Sequence, residues 1–241
     1  DPAPRPLFMI EDNEEPIVAI CSDPEQTNYE VNIFYKHETT PFNLRNDIGY
    51  WMSKYVLSII SDMQINRLQE LAQKPDAPFV YAYSYYGDYY ISPTKDAWNN
   101  IAMAKDMSGI DEAITAIVTE NNRMQQYGFT ASEYERAKAD FMKQIENKYN
   151  ERNNTENRFY VNECLDNFLT NEPMMGIETE YTLYQQIAPN VPLETINAFA
   201  AQLIPENNLV ITVTTPKKEG ETAPTKEQIL AVYNAAKDIE V

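Results

Sequence analysis

Between Leu44 and Leu68 the apolar residues recur at three- and four-residue intervals: Leu44, Ile48, Trp51, Tyr55, Ile59, Met63 and Leu68, with Met52, Val56 and Ile60 alongside. That period belongs to an α-helix with one side buried, and it predicts a long helix from about Pro41 to Ala72. At 1.5 Å per residue such a helix spans about 45 Å, long enough to cross a sheet face. It is expected to be the central packing helix. The residues before it carry the other period. Tyr29, Val31, Ile33 and Tyr35 alternate with Glu30, Asn32, Phe34 and Lys36, as in a strand that points successive side chains to opposite faces. A chain that moves from period two to period 3.6 and back must build a sheet with helices laid against it.

The remaining punctuation fills in the order. Ile17 to Ile20 is a short apolar run, and Ser22-Asp23-Pro24-Glu25 supplies turn chemistry before the next strand. Pro75 and Pro78 end the long helix. Phe79 to Ile91 is β-branched and aromatic enough for a strand, with a bend at Gly87-Asp88, and Ala97 to Lys105 is expected to be another. Ile110, Ala113, Ile114, Ile117, Val118, Met124 and Tyr127 form a helical stripe that Gly128 is placed to terminate. Thr130 with Glu133 makes a capping box, restarting a helix whose apolar face is Tyr134, Ala137, Phe141, Ile145 and Tyr149. Shorter helices are expected around 158–169, 177–187 and 192–203, then a strand at 209–213, a charged loop at 217–224 and a helix at 225–237 leading onward. This segregation predicts an α+β two-layer sandwich, a mostly antiparallel sheet covered by helices on one face. Pro2, Pro4 and Pro6 with the acidic stretch Glu11 to Glu15 read as a linker over 1–15. A single domain over 16–216 and an exit segment over 217–241 complete the expected organisation. The first residue is Asp1, so the chain is expected to be processed or cut from something longer.

Charge and composition exclude several functions. With 19 basic and 37 acidic side chains the net charge is −18, which repels phosphate backbones and removes the electrostatic basis of nucleic-acid binding. No apolar run approaches the roughly 18 residues of a membrane span, so no membrane insertion is expected. None of the 6 glycines falls in a phosphate-cradling motif. There is 1 histidine, His37, and there are 2 cysteines, Cys21 and Cys164. Zinc sites take three or four His, Cys or carboxylate ligands, and neither HExxH, HxxEH nor CxxC occurs. No metal site and no catalytic residue is expected within this chain. His37, beside Lys36 at a strand end, reads as a bystander, and the cysteines read as buried free thiols whose pairing stays open. The carboxylate pairs Asp23/Glu25, Glu133/Glu135 and Glu178/Glu180 read as solvated surface. Asn153-Asn154-Thr155 matches a glycosylation acceptor, a pattern common by chance. Tyrosines crowd the segment from Tyr81 to Tyr90. Such a row can stack sugars or hold a peptide, or it can simply pack alternate rings under the helices.

Several strings taken together resemble one family: Pro16-Ile-Val-Ala-Ile-Cys-Ser-Asp-Pro-Glu-Gln-Thr, Asn66-Arg67-Leu68-Gln69-Glu70-Leu71, Tyr127-Gly128-Phe129-Thr130 with Glu133 and Glu135-Arg136-Ala137-Lys138, and Pro205-Glu-Asn-Asn-Leu-Val-Ile-Thr-Val. Over about 16–216 the chain is similar to the pitrilysin or insulinase family of zinc metallopeptidases, which share a fold with the mitochondrial processing peptidase. The Gly128 to Lys138 junction is the most specific element. The resemblance implies homologous α+β domains forming two halves of a clamshell, with peptides cut in the enclosed chamber by a zinc-activated water. It also implies a zinc held by an inverted HxxEH motif and a downstream Glu on the first domain of a half. This chain has no HxxEH, so it resembles the non-catalytic second domain, with zinc expected upstream.

On this reading the chain supplies chamber wall and substrate-contact surface in a periplasmic or secreted bacterial protein, the cytoplasm remaining open. Its expected partners are other domains of the same polypeptide or a homologous subunit, and a peptide substrate. Arg67, Tyr83 and Tyr85 are the candidate contact residues, although helix-to-sheet packing accounts for them equally well. The alternatives are a scaffold from a zinc-less homologue and a Tyr-rich carbohydrate-binding module.

Overall fold

The computed structural model describes residues 6–90 and 92–241. Pro2 and Pro4 of the expected linker, and Ile91 at the end of an expected strand, lie outside the described residues. The chain divides into two compact units. One comprises the described residues up to Thr39 with Gln64–Gly128 and Ala200–Val241; the other comprises Thr40–Met63 and Phe129–Phe199.

The first unit holds the sheet. Its strands are β1 (Ile17–Asp23), β2 (Tyr29–Glu38), β3 (Tyr81–Asp88), β4 (Lys95–Ala104) and β5 (Leu209–Pro216), in the order β1-β5-β2-β4-β3. Pairing is parallel between β1 and β5 and antiparallel elsewhere. The α+β expectation holds, with one parallel pair in a mostly antiparallel sheet. Helices α2 (Gly109–Tyr127) and α7 (Lys226–Lys237) cover one face. The period-two alternation sends Val31, Ile33 and Tyr35 of β2 toward them, beside Trp98, Ala102, Ile211 and Val213, all buried. Ile110, Ile114 and Ile117 of α2 and Ile229 of α7 close this core. Several of its polar groups are paired, as burial favours. Trp98 Nε1 donates to Asn121 Oδ1 at 3.1 Å, the Tyr35 and Tyr233 hydroxyls meet at 3.0 Å, and Ser84 Oγ donates to Asn100 Oδ1 at 2.8 Å. The helix expected to lead onward, α7, buries Ile229, Tyr233 and Ala236, and Asn122 of α2 donates to its last carbonyls.

The acidic segment before β1 has no regular structure but is tethered to this sheet. Thr94 Oγ1 donates to the Phe8 carbonyl at 3.2 Å, and Asn13 and Asn208 bond reciprocally through backbone and side chain. Lys36 donates to the Glu11 carbonyl, and Lys95, 3% exposed, is paired with Asp12 and Glu38. A lysine so buried needs carboxylate partners to offset its desolvation, and one acidic residue of the segment that read as linker, Asp12, serves in this way.

The second unit is helical. It takes α1 (Ile48–Ala72) as far as Met63, α3 (Ala131–Asn150), α4 (Asn157–Thr170), α5 (Ile177–Ile187) and most of α6 (Leu193–Ala200). The long helix starts later than expected. Phe42–Leu44 forms a separate 3₁₀ turn, and Asn46-Asp47, residues that favour turns, precede the first α-helical residue. An edge-on aromatic cluster fills this unit, with Tyr55 against Phe141 at 5.2 Å, Phe141 against Tyr184 at 4.9 Å and Trp51 against Tyr184 at 5.9 Å. The Tyr134 hydroxyl donates to the Val191 carbonyl at 2.6 Å. The capping box at Thr130 and Glu133 forms as its spacing predicts. Just before it, Gly128 ends α2 at φ 68°, ψ −149°, a backbone conformation essentially confined to glycine.

The cysteines correct one expectation. Cys21 and Cys164 are both free, but both are exposed. Cys21 lies on β1, an edge strand whose even-numbered side chains face the helices, and Cys164 lies on α4, where every residue from Asn157 to Leu169 is exposed.

Candidate functional site

Helices cover one face of the sheet; the other carries the tyrosines. β3 is the edge strand at the end opposite β1. Alternation turns Ala82 and Ser84 into the core and Tyr81, Tyr83 and Tyr85 outward, 43%, 38% and 38% exposed. Side chains two apart on a strand are separated by about 6.8 Å, and these rings keep near that spacing. The centroids are 6.3 Å apart for Tyr81 and Tyr83 and 6.1 Å for Tyr83 and Tyr85, with planes within 20° and 16° of parallel. The register sets Met103, Ile101 and Asn99 of β4 beside them in turn, with Glu30 of β2 opposite Met103. The result is a row of phenols along a sheet edge, bordered by half-buried apolar side chains.

The Tyr83 and Tyr85 hydroxyls stay protonated. Partial burial pushes the Tyr83 phenol above its usual range, reinforced by Tyr85, Tyr81 and Glu30; burial does the same for Tyr85, helped by Asp88. Tyr83 and Tyr85 therefore offer neutral hydroxyls, and the row offers π-faces, within the negative field of Glu30 and Asp88. Such a surface suits hydrogen-bonding, apolar or cationic groups. Farther along the same face it closes, because Phe34, Ala97 and Val210 are buried beneath Tyr89. Tyr90 packs on Phe34 with centroids 4.9 Å apart and planes tilted by 40°, from a left-handed backbone at φ 54°.

Arg67, the third candidate, is placed differently. Its Nη2 donates to the Gly128 carbonyl at 2.9 Å, tying the end of α1 to the end of α2. Tyr83 and Tyr85 are thus brought together on the open face, while Arg67 is bonded in the helical layer behind it. Tyr81 belongs to the tyrosine-rich segment that the sequence marks as a candidate surface, whereas Ile101 and Met103 carry no sequence signal. Alternation gives Tyr81 away at once as the same-face neighbour of Tyr83, but the β4 partners depend on a register that no local pattern fixes.

The remaining titratable candidates are engaged structurally. His37 Nε2 donates to the Leu203 carbonyl at 3.0 Å, and burial lowers the imidazole pKa. Asp23 accepts from the Glu25 amide at 2.7 Å in a turn, Glu133 belongs to the capping box, and Glu178 pairs with Arg152 at 3.2 Å. Among the described residues no group of three or more His, Cys, Asp or Glu side chains is arranged to hold a metal ion. The one imidazole, of His37, is bonded to a backbone carbonyl, so among the described residues the donor set that zinc needs is not assembled.

No protein-family model and no curated protein matches the chain by sequence. Solved structures do match its fold. The first half of the periplasmic protease PqqL from Escherichia coli superposes with a TM-score of 0.85 at 17% identity, covering 100% of this chain and 51% of that one. A predicted insulinase family protease from Yersinia pestis gives 0.79 at 13% identity over 98% of this chain and 49% of that one. A peptidase M16 inactive domain from Pseudomonas fluorescens gives 0.60 at 13% identity over 93% and 48%. The chain has the fold of insulinase-type peptidase domains, and it spans about half the length of these matches and 26% of full-length PqqL.

Proposed function

We propose that this chain is a non-catalytic, chamber-forming domain of an insulinase-type zinc peptidase, with the zinc ligands carried by another domain. The observation that carries this reading is the superposition of the whole chain on half of a PqqL half, joined to a donor set too poor in imidazole for a zinc site. Peptide hydrolysis of this kind needs a metal to acidify water and a base to take its proton, and both fall to the neighbouring domain. This chain contributes surface. The row of Tyr81, Tyr83 and Tyr85 at an open sheet edge offers rings, hydroxyls and a strand edge to an extended peptide. The net charge of −18 draws basic substrates toward it. The periplasmic setting of PqqL favours an envelope or secreted location, and no helix among the described residues is long and apolar enough to cross a membrane.

The name of the Pseudomonas domain favours a second reading, a scaffold domain in a parent that has lost catalysis. One set of assays separates the two. The full-length protein is expected to hold one zinc and to hydrolyse basic peptides, and Tyr83→Ala with Tyr85→Ala to raise KM with little change in kcat. The 241-residue chain alone is expected to hold no stoichiometric zinc. Turnover by that chain would overturn the primary reading; a full-length protein without zinc or turnover would leave the scaffold.

A further inference from the structure

The segment before β1 is gripped as a bound peptide would be. Its main chain has no regular secondary structure, yet it is bonded at three successive points. The Ile10 amide donates to Thr94 Oγ1, and that hydroxyl donates to the Phe8 carbonyl. Lys36 Nζ donates to the Glu11 carbonyl. Asn13 gives its N–H to Asn208 Oδ1 at 2.9 Å and takes the Asn208 N–H on its carbonyl at 2.8 Å, a reciprocal pair like those an added strand makes. Between these points the Asp12 carboxylate meets Lys95 Nζ at 2.8 Å. The gripping residues Lys36, Thr94, Lys95 and Asn208 are all buried. Lys36 stands two residues beyond Phe34 on β2 and Lys95 two before Ala97 on β4, so alternation puts both at the closed end of the tyrosine-bearing face.

Little apolar burial holds the segment there. Leu7, Phe8 and Met9 are exposed, Phe8 by 83%. The fit is also incomplete, because Asn13 Oδ1 is buried with no hydrogen-bond partner among the described residues. Polar contacts of this kind are exchanged for others at small net cost, which a packed apolar strand does not allow. The groups beneath are less tolerant of being left bare. Without Asp12 the site holds two ammonium groups, Lys36 and Lys95, against the carboxylate of Glu38, and a buried cation needs a partner. In a chain of net charge −18 this is a basic spot that an acidic occupant offsets.

We infer that Lys36, Thr94, Lys95 and Asn208 form a docking site for an extended acidic peptide segment, filled in cis by residues 8–13 and open to such a segment of another protein when that strap lifts. Main-chain bonds on both sides of Asp12 select an internal aspartate over a chain end. The paired N–H and carbonyl of Asn13 select a peptide over a small anion. A tethered strap competes at high effective concentration, so the site is autoinhibited in the intact chain. The inference goes beyond the peptidase reading and uses neither zinc nor turnover.

The test is fluorescence anisotropy with a fluorescein-labelled peptide of residues 6–15. The Asp12→Lys, Asn13→Ala variant of the 241-residue chain keeps the length of the strap but brings a third ammonium group toward Lys36 and Lys95. It is expected to bind the peptide at least about tenfold more tightly than wild type, whose own strap competes. Adding Lys95→Met to that variant, or replacing the aspartate of the peptide by asparagine, is expected to weaken binding at least about tenfold. A variant with wild-type circular dichroism that binds no better than wild type overturns the inference, and so does equal binding of the asparagine peptide. Hydrogen exchange on the wild-type chain decides the matter if the variant fails to fold. The Asn13 amide is expected to exchange at least about a hundredfold faster than the amides of Ile33 and Ala102 in the sheet. Equal rates would make the strap a permanent part of the fold and overturn the inference.

Discussion

His37 shows how one side chain is settled by its surroundings. It closes β2 with Nε2–H donated to the Leu203 carbonyl, and burial favours the neutral ring, lowering its pKa below the ordinary 6.5. A group whose folded pKa is depressed contributes stability that is fully present above its unfolded pKa. That contribution is lost as pH falls through the folded value. Wild type is therefore expected to exceed His37→Gln in urea midpoint at pH 7.5, and to lose the advantage progressively below about pH 6.5. An advantage unchanged at pH 5 would refute the account. Tyr83 and Tyr85 obey different constraints. Their rings are partly exposed on an open face, so truncation to Ala is expected to change stability far less than the several kcal/mol of a core aromatic. A large fall in the urea midpoint of the Tyr83→Ala, Tyr85→Ala variant would show that packing, not contact, is their role.

Among the elements, the junction from α2 to α3 is the most tightly specified. Gly128 adopts φ 68°, ψ −149°, Arg67 bonds its carbonyl, and Thr130 and Glu133 satisfy the first amides of α3. Gly128→Ala is expected to cost about 1 to 3 kcal/mol from backbone strain, and Thr130→Ala about 1 kcal/mol from loss of the cap, both read from urea unfolding. Helices α2 and α4 then offer a contrast. Ile114 of α2 is fully buried, and Ile114→Ala is expected to cost about 2 to 5 kcal/mol. Leu165 of α4 is 49% exposed, and Leu165→Ser in this chain is expected to stay within about 0.5 kcal/mol. Equal losses at the two positions would mean that α4 is packed after all. Periodicity in a sequence shows that a face is apolar without showing what covers it.

For the whole molecule, charge is the term that no single contact describes. A net charge of −18 stores self-repulsion that dissolved salt screens. Thermal stability is expected to rise between 0.05 and 0.5 M NaCl, measured by the unfolding midpoint at pH 7.5; a fall would show that specific ion pairs such as Lys95 with Asp12 and Glu38 outweigh the general repulsion. The order of strands and helices was legible in the sequence because each element carries its own period, cap or breaker: the alternation at Tyr29 to Lys36, the capping box at Thr130, the glycine at 128. The α+β class and the poverty of zinc donors follow from those local facts and from counting. Tertiary structure alone decided the rest. The sheet register set Met103 and Ile101 beside the tyrosines, pairing across the helical layer committed Arg67 to Gly128, and burial of Lys95 drew in the acidic segment before β1. Cys21 and Cys164 came to the surface for the same reason. Local sequence dictates the conformation of a segment, whereas which face meets which is fixed by long-range packing among residues that have no proximity in the chain.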